Sequence, residues 1–543
     1  MKRLKKLSAI ALAGVMTFGL LTACGGNNGK NGDSGKETEK TEAKDDESSK
    51  KTDAPEKETE GEAEKPSDDD VVTLKWYMSI NPIAADTQKV IDKLNEYTRD
   101  KIGVEIDYQV IANPDYKEKM PNIINANEYY DICFTASWTT NYLQNVNKGA
   151  FMDITELLKT EAPETYDFIP DALWNAVSVD GAIYGVPSYK EMGWQGGLYV
   201  NAEMAEEYGI DLSKVKKISD FTEVLKTVKE KSEAEGKKVI GITGLASGNG
   251  FSLTHPYESL YGTPNFPGAY AVPEFDNFKN HQGEVFNQYA TQEYEDYVNL
   301  THSWFEAGYT APEPTQYEKD SAQRDNDFKN GNLFSYVISY APGAKESASK
   351  SMGFEVEFIP LMEPLFETRN AMGGLLAVYH GCEHPEKAVQ FLNLLNTDKY
   401  VGTLIRHGIE GEHYTAVGDD QVDKTMGGTL SADQNGYDYT FGWQFGTPFN
   451  QKWDISYPDN IAELFQEYNE SAIVSPHNGF IFQEGAVETL SGAIKNVLAK
   501  YCDGLETGAS DPDEELPKFL EELEQNNVDM VLEEIENQLA DFE

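Results

Sequence analysis

The chain has 543 residues, with 45 Lys plus Arg against 93 Asp plus Glu and a formal net charge of −48. Such acidity argues against nucleic acid or anionic headgroups as principal partners, since like charges repel at long range. The length exceeds what one hydrophobic core organises and suits two lobes.

The first 23 residues read as an export signal. Lys2, Arg3, Lys5 and Lys6 form a basic start, and Leu7 to Leu21 is apolar but shorter than the roughly twenty residues a spanning helix needs. Leu21-Thr22-Ala23-Cys24 is a lipobox, which predicts a lipidated Cys24 at the mature N-terminus and acyl chains held in a membrane. Residues 24–70 hold almost no core-forming side chain, so they are expected to be a disordered acidic spacer. A lipid plus a tether places the folded part on the extracellular face of the cell membrane. The remaining cysteines, Cys133, Cys382 and Cys502, are odd in number and widely spaced. One pair could form, and the spacing does not say which.

From Val71 onward, Thr73 to Met78 predicts a strand, and Val90, Ile91, Leu94 and Tyr97 fall on one helical face. Val104, Ile106, Tyr108 and Val110 alternate with polar residues, as in a half-buried strand. A helix around Lys117 to Asn125 and the strand Ile132-Cys133-Phe134 complete an α/β series. Ligands in such sheets sit outside the carboxyl ends of the strands. Ser79 and Asn81 follow the first strand, and Ser137 and Trp138 the third. Asp180-Gly181 then favours a tight reversal, and Pro187 stops the short strand behind it. We read Pro187 as the point where the chain crosses to a second lobe, bringing Tyr189, Glu191 and Trp194 to a cleft. The same local signals also describe an ordinary hairpin within one sheet. Asn201-Ala202-Glu203 opens a short helix, Asp220 with Glu223 suggests a capping pair for another, and Val239 to Thr243 is a strand. Phe251 to Tyr289 has no period and reads as a long irregular insertion. Tyr294 to Phe305 is helical, Leu333 to Ser339 is a strand ending at Tyr340, and Phe354 to Ile359 alternates. Met372 to Val378 is a second candidate crossing. His384-Pro385-Glu386 starts a helix whose apolar face is Ala388, Phe391, Leu392 and Leu395.

Trp174, the run Asp180-Gly181-Ala182-Ile183-Tyr184-Gly185-Val186-Pro187 and Leu198-Tyr199-Val200-Asn201 resemble bacterial extracellular solute-binding proteins of family 1, the maltose-binding-protein-like receptors of ABC importers. Gly149-Ala150-Phe151-Met152-Asp153-Ile154 and Gly381-Cys382-Glu383-His384-Pro385-Glu386-Lys387-Ala388 extend the resemblance. His407-Gly408-Ile409-Glu410-Gly411-Glu412-His413-Tyr414 looks like a lipoprotein subgroup ending in a C-terminal domain of unknown function. The resemblance implies an α/β, two-lobe periplasmic-binding-protein-like fold that closes on a ligand in the cleft between lobes. We expect residues 71–187 and 373–440 in lobe 1, and 188–372 and 441–543 in lobe 2. By position the resemblance carries ligand contact onto Tyr189, Glu191 and Tyr340.

Binding a sugar takes flat apolar faces for the C–H side of the ring and planar polar groups for the hydroxyls. Trp138, Tyr189, Trp194, Tyr340 and Trp443 are the aromatics we expect in the cleft, and Ser79, Asn81, Glu191 and Arg406 the polar partners. The expected function is capture of a carbohydrate or oligosaccharide for an ABC permease, by a monomer without cofactor. Peptides and other polar solutes fit similar lobes. A surface glycoside hydrolase and a sensory or adhesive lipoprotein are the alternatives. With so many acids a carboxylate pair has no weight, and no nucleophile elbow, zinc motif or phosphate loop appears, so an enzyme is not expected. His380, Cys382 and His384 suggest a metal site, but a strand end, a turn and a helix start already use those positions. Asp325-x-Asp327 before Gly331 differs from a calcium loop, because Lys329 stands at the third ligand position.

Overall fold

The computed structural model describes residues 71–542 apart from 82, 247–249, 429–434, 438 and 440–441. The export signal, Cys24 and the acidic spacer lie outside the described residues.

Strand β1 (Val72–Ser79) leads into helix α1 (Thr87–Ile102), which buries Val90, Ile91 and Leu94 and ends where Gly103 turns left-handed at φ 68°. Strand β2 (Val104–Ile111), helix α2 (Asn113–Asn125), strand β3 (Ile132–Thr135) and helix α3 (Tyr142–Asn147) follow. Asp180 and Gly181, at φ 52° and 79°, form the two-residue loop of a small hairpin between 178–179 and 182–183. Positive φ at both loop residues is what such a hairpin demands. Strand β4 (Gly185–Pro187) then joins the main sheet. The stretch is thus a hairpin and a crossing in succession.

Past Pro187 the chain enters a second sheet through β5 (Gln195–Asn201), β6 (Ile240–Thr243), β7 (Leu333–Tyr340) and β8 (Val356–Pro360), in the order β8-β5-β7-β6. It returns through β9 (Leu375–Val378), which completes the first sheet as β2-β1-β3-β9-β4. The pairs β1–β2 and β1–β3 are parallel, while β9 runs antiparallel to both β3 and β4. This is the two-lobe α/β fold expected from sequence. The helix 385–397 follows β9, with Ala388, Phe391, Leu392 and Leu395 all fully buried. Asp220 does not cap the helix at 221–234. Its carboxylate accepts the backbone N–H groups of Lys216 and Lys217, so it secures the turn before that helix.

Separate apolar clusters hold the molecule together. One packs Leu74, Trp76 and Met78 of β1 against Phe391, Leu392 and Phe445. Another packs Leu198 and Val200 of β5 against Phe221, Leu225 and Phe334. A further cluster joins Phe251, Phe266 and Phe278 of the 251–289 insertion to Ile494, Phe519 and Ile535 of the C-terminal helices 488–506, 512–525 and 528–542. The insertion is organised by a small sheet of 258–259, 269–270 and 285–286. Cys133, Cys382 and Cys502 are free thiols. Among the described residues no helix is long and apolar enough to cross a membrane.

Candidate functional site

The first sheet brings four chain segments to one edge. Leu375 at the start of β9 pairs with Pro187 of β4 on one side and Thr135 of β3 on the other. The ends of β1, β3 and β4 and the start of β9 therefore form a shared rim. In the second sheet Tyr340, closing β7, pairs with Gln195, opening β5, while Pro360 of β8 pairs with Gly197. The segments 188–194 and 361–374 join the two edges across the cleft.

Trp138 is the most exposed tryptophan of that rim, with 38% of its surface accessible. Its orientation is fixed, because Nε1–H donates to the Gly373 carbonyl at 2.8 Å and Ser137 N–H donates to Met372 O at 2.8 Å. The Phe134 ring lies 5.8 Å away and the Trp443 ring 6.5 Å. Trp443 is half-buried, and its carbonyl accepts the Ser188 hydroxyl. Gly374 makes room for it, since a Cβ there would stand 2.7 Å from Trp443 Cζ3. Each indole has an ammonium beside it: Lys117 Nζ is 5.5 Å from the Trp138 ring and Lys190 Nζ 5.8 Å from that of Trp443. Lys190 also pairs with Glu191. A cavity of about 640 Å³ adjoins this pair, with Lys190, Glu191 and Trp443 on one wall and Ala341, Pro342 and Tyr457 on another. That volume lies in the range of small-molecule sites.

The other expected residues are placed as follows. Asn81 is exposed beyond β1, and Ser79 is buried with a hydroxyl that has no partner among the described residues. Tyr189 packs its ring against Phe168 at 5.3 Å and Phe449 at 5.0 Å. Tyr340 stacks on Phe358 at 4.6 Å, immediately before the cavity-lining Ala341 and Pro342. Trp194 is buried in the crossing, where Nε1–H donates to Glu367 at 3.0 Å and the Arg369 guanidinium lies 5.0 Å from its ring. Arg406 borders the cavity, yet its guanidinium is spent on backbone. Nε donates to Gly442 O at 2.9 Å, Nη1 to Gly402 O at 3.2 Å, and Nη2 to Phe445 O and Thr447 O at 3.0 and 2.9 Å. It holds the turn that carries Trp443. Lys117 and Lys190, which stand beside the two indoles, are not among the residues expected from sequence. Lys190 adjoins the singled-out Glu191, whereas Lys117 stands on a surface helix face with no distinguishing signal.

Cys382 donates to Asp131 at 3.2 Å, and burial pushes its thiol up to about 12. His380 Nε2 contacts Asn127 at 3.0 Å. Among the described residues no three His, Cys, Asp or Glu side chains converge to hold a metal.

Two lobes, crossing strands and an aromatic, polar cleft define a solute receptor. Residues 79–402 match the bacterial extracellular solute-binding protein family, and the chain belongs to it. Residues 476–543 match a domain of unknown function, DUF3502. A carbohydrate ABC transporter substrate-binding protein of Streptococcus pneumoniae serotype 4 (strain ATCC BAA-334 / TIGR4) is 25% identical over 493 residues, covering 89% of this chain and 93% of the relative. The crystal structure of an N-glycan transport solute binding protein from Streptococcus pneumoniae superposes with a TM-score of 0.75 at 24% identity, covering 87% of this chain and 98% of that one. An HMO binding, ABC-transporter associated solute binding protein from Bifidobacterium longum infantis ATCC 15697 gives 0.58 at 14% identity, covering 86% and 98%. These structural likenesses show the fold.

Proposed function

We propose that the protein is a lipid-anchored extracytoplasmic receptor that captures a carbohydrate and delivers it to the transmembrane subunits of an ABC importer. The observation that carries this reading is Trp138, an exposed indole locked by its own N–H on the cleft rim beside Trp443. A fixed apolar face offers a sugar's C–H side a surface without loss of side-chain freedom. Lys117 beside Trp138, Lys190 beside Trp443 and Glu191 in the adjoining cavity are the groups we assign to the hydroxyls, with Asn81 exposed just past β1. The lipobox at Cys24 and the acidic spacer fit a receptor held near a membrane partner. The relative named as a carbohydrate ABC transporter substrate-binding protein supports the sugar class. Ligand that touches both edges binds the closed arrangement better, and that difference in affinity drives closure.

Thermal unfolding against a panel of mono- and oligosaccharides tests the reading, with product analysis on every hit. The expected result is a ligand-specific rise in melting temperature with the sugar recovered intact. Trp138→Ala should weaken the hit about tenfold in a protein that still unfolds cooperatively without ligand. No shift across the panel would sink the carbohydrate reading, and a cleaved sugar would replace the receptor with a hydrolase.

A further inference from the structure

On the other flank of the crossing segments lies a cavity of about 460 Å³ that the reading above does not use. Ser137, next in sequence to Trp138, lines it, so it borders the proposed sugar platform. Its far wall comes from the insertion and the C-terminal domain. Tyr261 is stacked on Phe266 at 3.6 Å and 20°, and Phe482 stands 5.4 Å from Tyr261. Lys495 Nζ sits 5.2 Å from the Tyr261 ring. The near wall is the polar start of α3, with Gln144 exposed on it.

Charge decides what this space suits. Although the chain is strongly acidic, Glu484 pairs with Lys495 at 2.9 Å, Glu367 with Arg369 at 2.6 Å, and Glu258 contacts His477 at 2.8 Å. Two of the lining's four carboxylates are thus matched by cations and Glu258 is held by Ser475 and His477, which leaves Glu488 exposed on the lining beside amides, hydroxyls and aromatic faces, a set that suits the hydroxyls and ring faces of a neutral sugar. The Tyr261 hydroxyl is buried without a partner among the described residues. Across the mouth, Asn147 of α3 donates to Gln483 Oε1 at 3.1 Å. Gln538 of the last helix grips Gln483 by both backbone groups, accepting its N–H and donating to its carbonyl, each at 2.9 Å. The C-terminal domain thus fixes both the aromatic wall and the bond that spans the opening.

We propose that the 251–289 insertion and the C-terminal domain together build a second subsite for neutral sugar units beyond those over Trp138, which makes the receptor select oligosaccharides over short sugars. This rests on the carbohydrate reading.

Calorimetric titration of the purified protein with malto- and manno-oligosaccharide ladders of about two to seven units tests it. Affinity of the wild type should rise with length. Tyr261→Ala should lower affinity for the longest binding sugar about tenfold while the shortest stays within about twofold. Gln144→Ala is the second variant, because its exposed side chain can be removed without touching the core, and it should act in the same direction with unchanged melting temperature. Affinity that does not depend on length, or losses equal for short and long sugars, would overturn the subsite and leave the receptor standing. No binding by the wild type to any ladder or panel sugar would overturn both.

Discussion

At the scale of single residues, Arg406 and His407 show how burial turns polar side chains into scaffolding. Arg406 satisfies carbonyls at 402, 442, 445 and 447, none of which has an easy substitute once the guanidinium is gone. Arg406→Met should cost about 3 to 5 kcal/mol in chemical unfolding and weaken sugar binding too, because the turn bearing Trp443 loses its support. His407 donates Nε2–H to the Lys452 carbonyl at 2.8 Å, and its Nδ1 is buried with no partner among the described residues. Burial pulls its pKa down from 6.5 to about 3. A depressed basic group is neutral in the fold, so its share of stability is whole above 6.5 and is lost as pH falls toward 3. Melting temperatures measured between about pH 7 and about pH 4 should therefore fall less steeply for His407→Gln than for the wild type. Equal slopes would remove His407 from the acid response.

At the scale of elements, two glycines at the crossings separate tolerable from intolerable crowding. A Cβ on Gly374 would stand 2.7 Å from a ring carbon of Trp443, which is half-buried and can tilt. Gly374→Ala should cost about 1 to 2 kcal/mol in unfolding yet lower sugar affinity several-fold, since the displaced indole leaves its place beside Trp138. A Cβ on Gly196 of β5 would lie 1.9 Å from the Leu253 carbonyl oxygen. That neighbour is backbone of the insertion and cannot turn away, so Gly196→Ala should fail to give soluble, cooperatively unfolding protein. A near-normal melting curve for Gly196→Ala would mean the insertion shifts freely over the strand.

For the whole molecule, the C-terminal domain and the 251–289 insertion stabilise each other. Ile494, Phe519, Leu523 and Ile535 are fully buried against the insertion. Uncovering even these four costs about 6 to 12 kcal/mol, comparable to the entire stability of a typical domain. Deleting residues 476–543 should therefore give aggregated protein, read by size-exclusion chromatography, and a monodisperse, cooperatively melting truncation would contradict this. Ligand that bridges the lobes should reduce the radius of gyration in solution scattering, while a bound sugar that leaves it unchanged would argue against closure.

Local chemistry alone determined several features of this protein. The Asp180-Gly181 loop follows from backbone sterics, the helix after His384 from Pro385 and its apolar period, and the rim position of Trp138 from its place just past a buried strand. The family resemblance in sequence extended these to two lobes and a cleft. Tertiary structure decided which expected site residues face solvent. Trp194 arrives after the crossing as read, but Glu367, 173 residues away, captures its N–H and keeps it inside. Arg406 lies on a helix where nothing nearby reveals the four carbonyls that claim it, because three of them come from a turn about forty residues later. The irregular insertion has no period of its own, and its order comes from a small internal sheet packed on distant C-terminal helices. Sequence reports the preferences of neighbours along the chain, whereas burial and hydrogen-bond satisfaction are settled by groups that meet only when the chain has folded.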